Sequence, residues 1–225
     1  MRLTDVFDKL TTLYYRPFSE LKQQEDISSF TINKGNTGQF LQELLNMPNN
    51  SHLTDFEDGE LKTNKADKFG KPKETMFITQ ISQDFDSLFF GHSHNNRLLH
   101  KISNLLYLPV CKDSHDPNDW FFLPAYHINA RENNLLYQQF EQDFLTIKSI
   151  VLHDIENTHD GSIHTSNGKY IQIRSKDAKR ANGQYNPIFS QHLERYVSNK
   201  NHAFYFKKEF MLDVQQGIIP ARKIE

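Results

Sequence analysis

The residues best equipped for chemistry lie in one short stretch, Thr54-Asp55-Phe56-Glu57-Asp58-Gly59-Glu60-Leu61-Lys62-Thr63. In an extended strand, residues two apart share a face. Glu60 and Lys62 therefore point the same way, and Leu61 points into the core. An upstream acid, Asp55 or Asp58, joins that face if the chain bends at Gly59. Phosphodiester hydrolysis uses such a set. Two carboxylates hold Mg²⁺ through oxygen ligands and leave positions open for water and phosphate. The ion polarises the phosphate and lowers the pKa of its water. A neighbouring lysine orients that water and stabilises charge in the transition state. The plainer counterpart is a solvated edge strand with one ion pair. Charged residues make up 24% of the chain, so an acid followed by Glu-x-Lys also arises by chance.

The elements that must position these residues are read from periodicity. Leu3, Val6, Phe7, Leu10, Leu13 and Tyr14 step as a helix that Pro17 ends. A short helix follows at Ser19 to Gln24. Asn36 to Asn46, with Phe40, Leu41, Leu44 and Leu45, forms the helix before the site, and Pro48 to Ser51 breaks it. Phe56 to Thr63 reads as a strand, Lys65 to Lys73 as a turn-rich connection and Thr75 to Ile81 as a buried strand. Asn95 to Ser103 is a helix; Leu105 to Val110 and Trp120 to Tyr126 are strands. The longest helix runs from about Glu132 to Glu156 on the stripe Leu136, Phe140, Phe144, Ile147, Val151 and Ile155, and His159-Asp160-Gly161 ends it. Strands at Lys169 to Ser175 and His202 to Phe206 and a helix at Lys207 to Val214 close the chain. Interleaved strands and helices predict an α/β fold with a mixed sheet flanked by helices.

Composition narrows the function further. The chain has 225 residues, which favours a single domain, 1–225, with two lobes. Its 18 Phe and 9 Tyr supply a core despite 37% hydrophobic residues. The net charge of −2 excludes a histone-like polycation. No apolar run approaches the ~20 residues of a membrane span, and the amino terminus has no secretory pattern. The expectation is a cytoplasmic, bacterial protein with no membrane contact. One cysteine, Cys111, excludes an internal disulfide and a multi-thiolate zinc knuckle; it reads as core, as does Trp120. His92, His94 and His100, or His153, His159 and His164, match no zinc-binding spacing.

Charge is distributed unevenly. Between Lys169 and Lys208 stand nine basic residues and two acidic ones, a local +7 that leaves −9 for the remainder. A DNA-binding lobe on an acidic enzyme shows this asymmetry. The loop from Lys176 to Asn186 is polar and basic, and it is the best candidate to enter a groove.

Several ordered motifs together resemble the MutH-type endonuclease family, which covers a mismatch-repair nicking enzyme and restriction endonucleases of GATC sites. They are Asn33-Lys34-Gly35-Asn36-Thr37-Gly38; Asp55-Phe56 with Gly59-Glu60-Leu61-Lys62-Thr63; Phe69-Gly70-Lys71-Pro72-Lys73-Glu74-Thr75-Met76-Phe77; His100-Lys101 through Val110; Tyr170 to Lys176; and Ala203 to Phe210. The resemblance implies a restriction-endonuclease-like fold of the Asp…Glu-x-Lys nuclease superfamily. Its mixed central sheet would lie in two lobes forming a DNA-binding cleft, with the catalytic motif at about 1–110 and a basic recognition region at about 165–215. Asp55 and Glu60 resemble the metal-binding carboxylates, Lys62 the catalytic lysine and Lys101 a second active-site lysine carried by a helix. The Leu61 carbonyl would be a further ligand of one or two Mg²⁺ ions. Lys34, Arg174, Lys176, Lys179, Arg180, Tyr205 and Lys207 fall where DNA contacts are expected. The family's helix acid falls here on Gln42, with Glu43 one place later, about 100° around the helix. Either the helix shifts register or Gln42 replaces a charged ligand. Asp58 competes with Asp55 for the first carboxylate.

The function expected is a type II restriction endonuclease that hydrolyses double-stranded DNA with Mg²⁺ and leaves 5′-phosphates, alone or with a second copy of itself on DNA. The alternatives are a MutH-like strand-nicking mismatch-repair endonuclease and a non-catalytic DNA-binding module.

Overall fold

The computed structural model describes residues 1–21, 36–47, 53–91, 96–157, 163–177 and 183–225. Its helices are α1 (Phe7–Thr11), α2 (Phe18–Leu21), α3 (Asn36–Leu44), α4 (Phe85–Phe89), α5 (Arg97–Ile102), α6 (Asn134–Asn157) and α7 (Lys208–Gln215). Its strands are β1 (Glu60–Ala66), β2 (Met76–Gln80), β3 (Asn104–Cys111), β4 (Phe121–Phe122), β5 (Ala125–Asn129), β6 (Ser166–Asn167), β7 (Ile171–Ser175), β8 (Ile188–Ser190), β9 (Arg195–Ser198), β10 (His202–Phe206) and β11 (Arg222–Ile224). The fold is mixed α/β, as the interleaving implies. The chain forms two compact units that alternate along the sequence. The first holds Met1–Met76, Lys101–Asn133 and Met211–Glu225, and the second Phe77–His100 and Asn134–Phe210.

The sheet of the first unit has the order β1-β3-β5-β11, with β4 also paired to β3. β1 and β3 are parallel, with Leu61 opposite Leu106, whereas β3–β5 and β5–β11 are antiparallel. β3 is buried along its whole length, as a central strand covered on both faces must be. One face carries Leu61, Leu106, Leu108 and Val110, packed with Phe40 and Leu41 of α3 and with Phe18 and Phe122. The Phe18 ring lies 5.0 Å from Phe40 and 4.8 Å from Phe122. This cluster fixes α3 over the start of β1. Cys111 and Trp120 are buried, as expected of core residues.

The sheet of the second unit has the order β2-β10-β7-β6. The stripe Leu136, Phe140, Phe144, Ile147, Val151 and Ile155 is buried throughout, and α6 packs on β6 and β7. Phe140 meets Phe206 at 5.7 Å, and Phe206 stacks on Phe210 at 4.1 Å. Asp143, 2% exposed on α6, accepts the N–H groups of Lys169, Tyr170 and Ile171 and the amide of Gln139. It thereby ties the helix to the turn before β7. On α4, Asp86 accepts from Ser190 Oγ and from the N–H groups of Gln191 and His192, anchoring the β8–β9 hairpin.

Several boundaries differ from the periodicity. Leu3 begins a 3₁₀ turn, and α1 stops at Thr11, well before Pro17. Thr12 turns its hydroxyl back to the Lys9 carbonyl, and Tyr14 leaves to bridge Phe122. The expected strand at Phe56 starts only at Glu60, because Phe56 N–H bonds to the Gly59 carbonyl and the chain bends. Trp120 to Tyr126 is two strands, split where Pro124 has no N–H to offer. The shortness of α4, β6, β8, β9 and β11 left no periodic signal. Residues 22–24 of the expected second helix, Asn95 and the stop at His159-Asp160-Gly161 lie outside the described residues. So do Pro48 to Ser51.

Candidate active site

Sequence alternation places Glu60 and Lys62 on one face of β1, and the structure joins them. Lys62 Nζ donates to Glu60 Oε1 at 2.5 Å. Lys101, on α5, donates to the same oxygen at 2.8 Å. All three side chains are nearly out of solvent, at 4% exposure for Glu60, 13% for Lys62 and 12% for Lys101. The solvated edge-strand ion pair is therefore the wrong description, although β1 does stand at the edge of its sheet among the described residues. Glu60 Oε2 is buried with no hydrogen-bond partner among the described residues. A buried carboxylate oxygen left so is costly and calls for a ligand, a water or an ion.

Asp55 joins the group on the side of β1 away from β3. Its Oδ2 accepts the Leu61 N–H at 2.9 Å, and its Oδ1 accepts from Gln42 Nε2 at 2.8 Å. The N–H and C=O of one strand residue project to the same side, so the Leu61 carbonyl shares the Asp55 side. Burial pushes the Asp55 carboxyl above its ordinary value, and the charge of Glu60 adds to that. Lys62, the Leu61 N–H and Lys101 oppose the rise without cancelling it. Two acids thus stand close enough to repel, which a cation between them would relieve.

The residues left open by the sequence have these partners. Gln42, not Glu43, bonds to Asp55; Glu43 is exposed on α3. Asp58 is engaged elsewhere, its Oδ1 on the Leu3 N–H at 2.8 Å. Asn104 was not singled out by sequence, yet it holds the bend that delivers Glu60. Its Nδ2 donates to the Asp58 carbonyl at 2.7 Å, and its Oδ1 meets His127 Nε2 at 2.8 Å. Gly59 lies so close that a Cβ there would stand 2.8 Å from the Asn104 carbonyl and 2.7 Å from Leu3 Cδ1. Only a bend without a side chain fits.

The residues that could hold an ion here, the carboxylates of Asp55 and Glu60 and the Leu61 carbonyl, offer oxygen donors only, the type that Mg²⁺ takes. Among the described residues no three His, Cys, Asp or Glu side chains form a metal-holding group by themselves. An ion here needs the main chain, water or phosphate as well.

The second unit gathers part of the basic tract. On β7 and β10, Ile171, Ile173, Phe204 and Phe206 are buried, and Arg174, opposite Ala203, lies on the other face with Tyr205. The Arg174 guanidinium stands 5.8 Å from the Tyr205 ring, and Phe77 meets that ring edge-on at 5.7 Å. Lys176 Nζ lies 3.3 Å from the centroid of Phe77. Phe77 is thus a member that sequence reading passed over; its signal was a half-buried aromatic alternating with buried Met76 and Ile78. Burial raises the Tyr205 hydroxyl pKa against the Arg174 charge. Lys207 donates to the Gly168 carbonyl at 3.3 Å. Asp177 accepts from both nitrogens of Asn186, closing the base of the basic loop. Lys34, Lys179 and Arg180 lie outside the described residues, as do His92, His94 and His159 of the discounted histidine groups.

No family model matches the chain, and no curated protein matches it. Among the described residues no helix is long and apolar enough to cross a membrane.

Proposed function

We propose that this chain is a Mg²⁺-dependent, sequence-specific endonuclease of double-stranded DNA, acting as a type II restriction enzyme and related to the MutH-type family its motifs resemble. The observation that carries this is the meeting of Asp55, Glu60, Lys62 and Lys101 around a buried carboxylate with an unsatisfied oxygen.

Asp55, Glu60 and the Leu61 carbonyl would hold Mg²⁺, which when bound supplies phosphate polarisation and a more acidic water. Lys62, fixed by Glu60 Oε1, orients the attacking water and stabilises charge building on the phosphoryl oxygens. Lys101 shares that oxygen and adds a second positive charge. Asp55 and Gln42 hold the edge of β1 in place. Attack in line with the 3′-oxygen leaves a 5′-phosphate. Arg174, Lys176, Lys179, Arg180 and Lys207 neutralise backbone phosphates, and the loop at 176–186 reads base edges. Among the described residues one such site is found in each chain, so cutting both strands takes a second copy or two successive nicks. We place the enzyme in the bacterial cytoplasm.

The test is digestion of a sequenced plasmid with Mg²⁺, followed by mapping of the ends. Defined linear products with 5′-phosphates, lost with excess chelator and with Lys62→Ala, are expected. Cleavage that survives the chelator removes the metal assignment. A relaxed circle only, formed when a partner protein is added, is the outcome of a strand-nicking repair enzyme. Binding without any cleavage is that of a non-catalytic module.

A further inference from the structure

β1 carries the candidate catalytic residues at its start and a second feature at its end. There the chain turns through Asp67-Lys68-Phe69-Gly70-Lys71, and Phe69 stands 84% exposed. Single exposed apolar residues are ordinary; this one is held out on a turn with nearly every polar group employed. Asp67 Oδ1 accepts the N–H groups of Phe69 at 3.0 Å and Lys71 at 2.9 Å. The Asp67 carbonyl takes the Gly70 N–H, and Gln215 donates to the Gly70 carbonyl at 2.6 Å. Asp113 accepts the Lys68 N–H at 2.9 Å. Gly70 has φ +87, a conformation other residues adopt only with strain. Both acids at the turn are spent on its own backbone, and Lys73 pairs with Asp67 at 2.9 Å. Lys65, Lys68 and Lys71 are exposed, and Lys68 Nζ lies 5.1 Å from the centroid of the Phe69 ring.

We infer that this turn is a second duplex-DNA contact, in which Lys65, Lys68 and Lys71 hold phosphates and Phe69 packs as a wedge in a groove. The inference rests on the nuclease reading for its choice of partner. A rigid, hydrogen-bonded turn presents the ring without an ordering cost at binding. Apolar wedges beside basic residues are how proteins engage a groove without reading a full base code. Position also favours DNA over an acidic protein. Six residue steps along β1 at ~3.3 Å each put the turn ~20 Å from Glu60, less than the ~34 Å of one duplex turn. A duplex whose phosphate lies at Glu60 and Lys62 is long enough to reach it.

The test uses the full chain and a labelled mixed-sequence duplex without divalent cation, titrated at several salt concentrations. Phe69→Ala is expected to weaken binding about tenfold. Lys68→Ala and Lys71→Ala should each lower the slope of log affinity against log salt by about 0.9. Phe69→Trp should change emission as duplex is added, against the buried Trp120. Thermal unfolding should not move, because these side chains are exposed. If all these variants bind as the parent does while Lys62→Ala still abolishes cleavage, the inference is overturned and the nuclease reading stands. Unchanged DNA binding with loss of a dimer in sedimentation assigns the turn to protein contact and also overturns it. A parent chain that binds duplex through the turn but never cleaves removes the nuclease reading and keeps the inference. A parent chain that does not bind duplex removes both.

Discussion

Two buried carboxylates, one in each unit, are used in opposite ways. Asp143 is 2% exposed and accepts three main-chain N–H groups and a side-chain amide. Its charge is dissipated into the backbone of a turn, and even the neighbouring Gly168 is packed against it so closely that a Cβ would lie 2.5 Å from the Asp143 carboxyl carbon. Glu60 is equally buried, yet it spends one oxygen on two lysines and has no partner for the other among the described residues. Burial by itself therefore does not mark function. Asp143 is saturated by fixed dipoles and acts as a clamp, whereas Glu60 is paired with two lysine amines and is short of partners at Oε2 among the described residues.

That contrast is broken first at the candidate site. Glu60→Gln and Lys62→Ala should each lower plasmid cleavage by about 100- to 1000-fold, with the fold retained by circular dichroism. Equal loss of folding in these variants would make Glu60 a clamp as well. Next in size is Asp143→Ala, which leaves three N–H groups without an acceptor. It should cost about 3 kcal/mol and lower Tm by roughly 6–12 °C in thermal unfolding. A change of only a degree or two would show that water replaces the carboxylate and that the clamp is dispensable.

Acidity sharpens the comparison with opposite signs. Asp55 has its folded-state pKa raised above 3.8, so the unfolded chain releases that proton more readily. Its share of stability is present below the unfolded value and is lost as pH rises through the folded one. His202 in the second unit is buried, and burial lowers its pKa from 6.5. Its share is present above that value and is lost as pH falls through the lowered one. In metal-free denaturant titrations, Asp55→Asn should remove a loss of stability on the rising side. His202→Gln should remove one on the falling side. Two variants with the same sign would refute one of the environments described. The smallest effect is expected at the Arg174–Tyr205 pair, where Arg174→Ala should weaken DNA binding modestly and reduce the salt slope by about 1.

What the sequence determined by itself was whatever depends on local spacing. Alternation put Glu60 and Lys62 on one face and Leu61 on the other. The stripe from Leu136 to Ile155 defined α6 to within two residues at each end, because a long amphipathic period is hard to mistake. The tract of +7 was legible as composition. Only tertiary structure decided the rest, since those choices are made by contacts distant in sequence. Asp55 over Asp58 turns on whether Leu61 or Leu3 offers the amide. Gln42 over Glu43 turns on how Phe40 and Leu41 seat α3 in the core. Phe77 joins Lys176 and Tyr205 only when strands far apart in the chain are brought together. The orphan oxygen of Glu60 has no sequence signature at all, because an unmatched group is defined by every neighbour that fails to reach it.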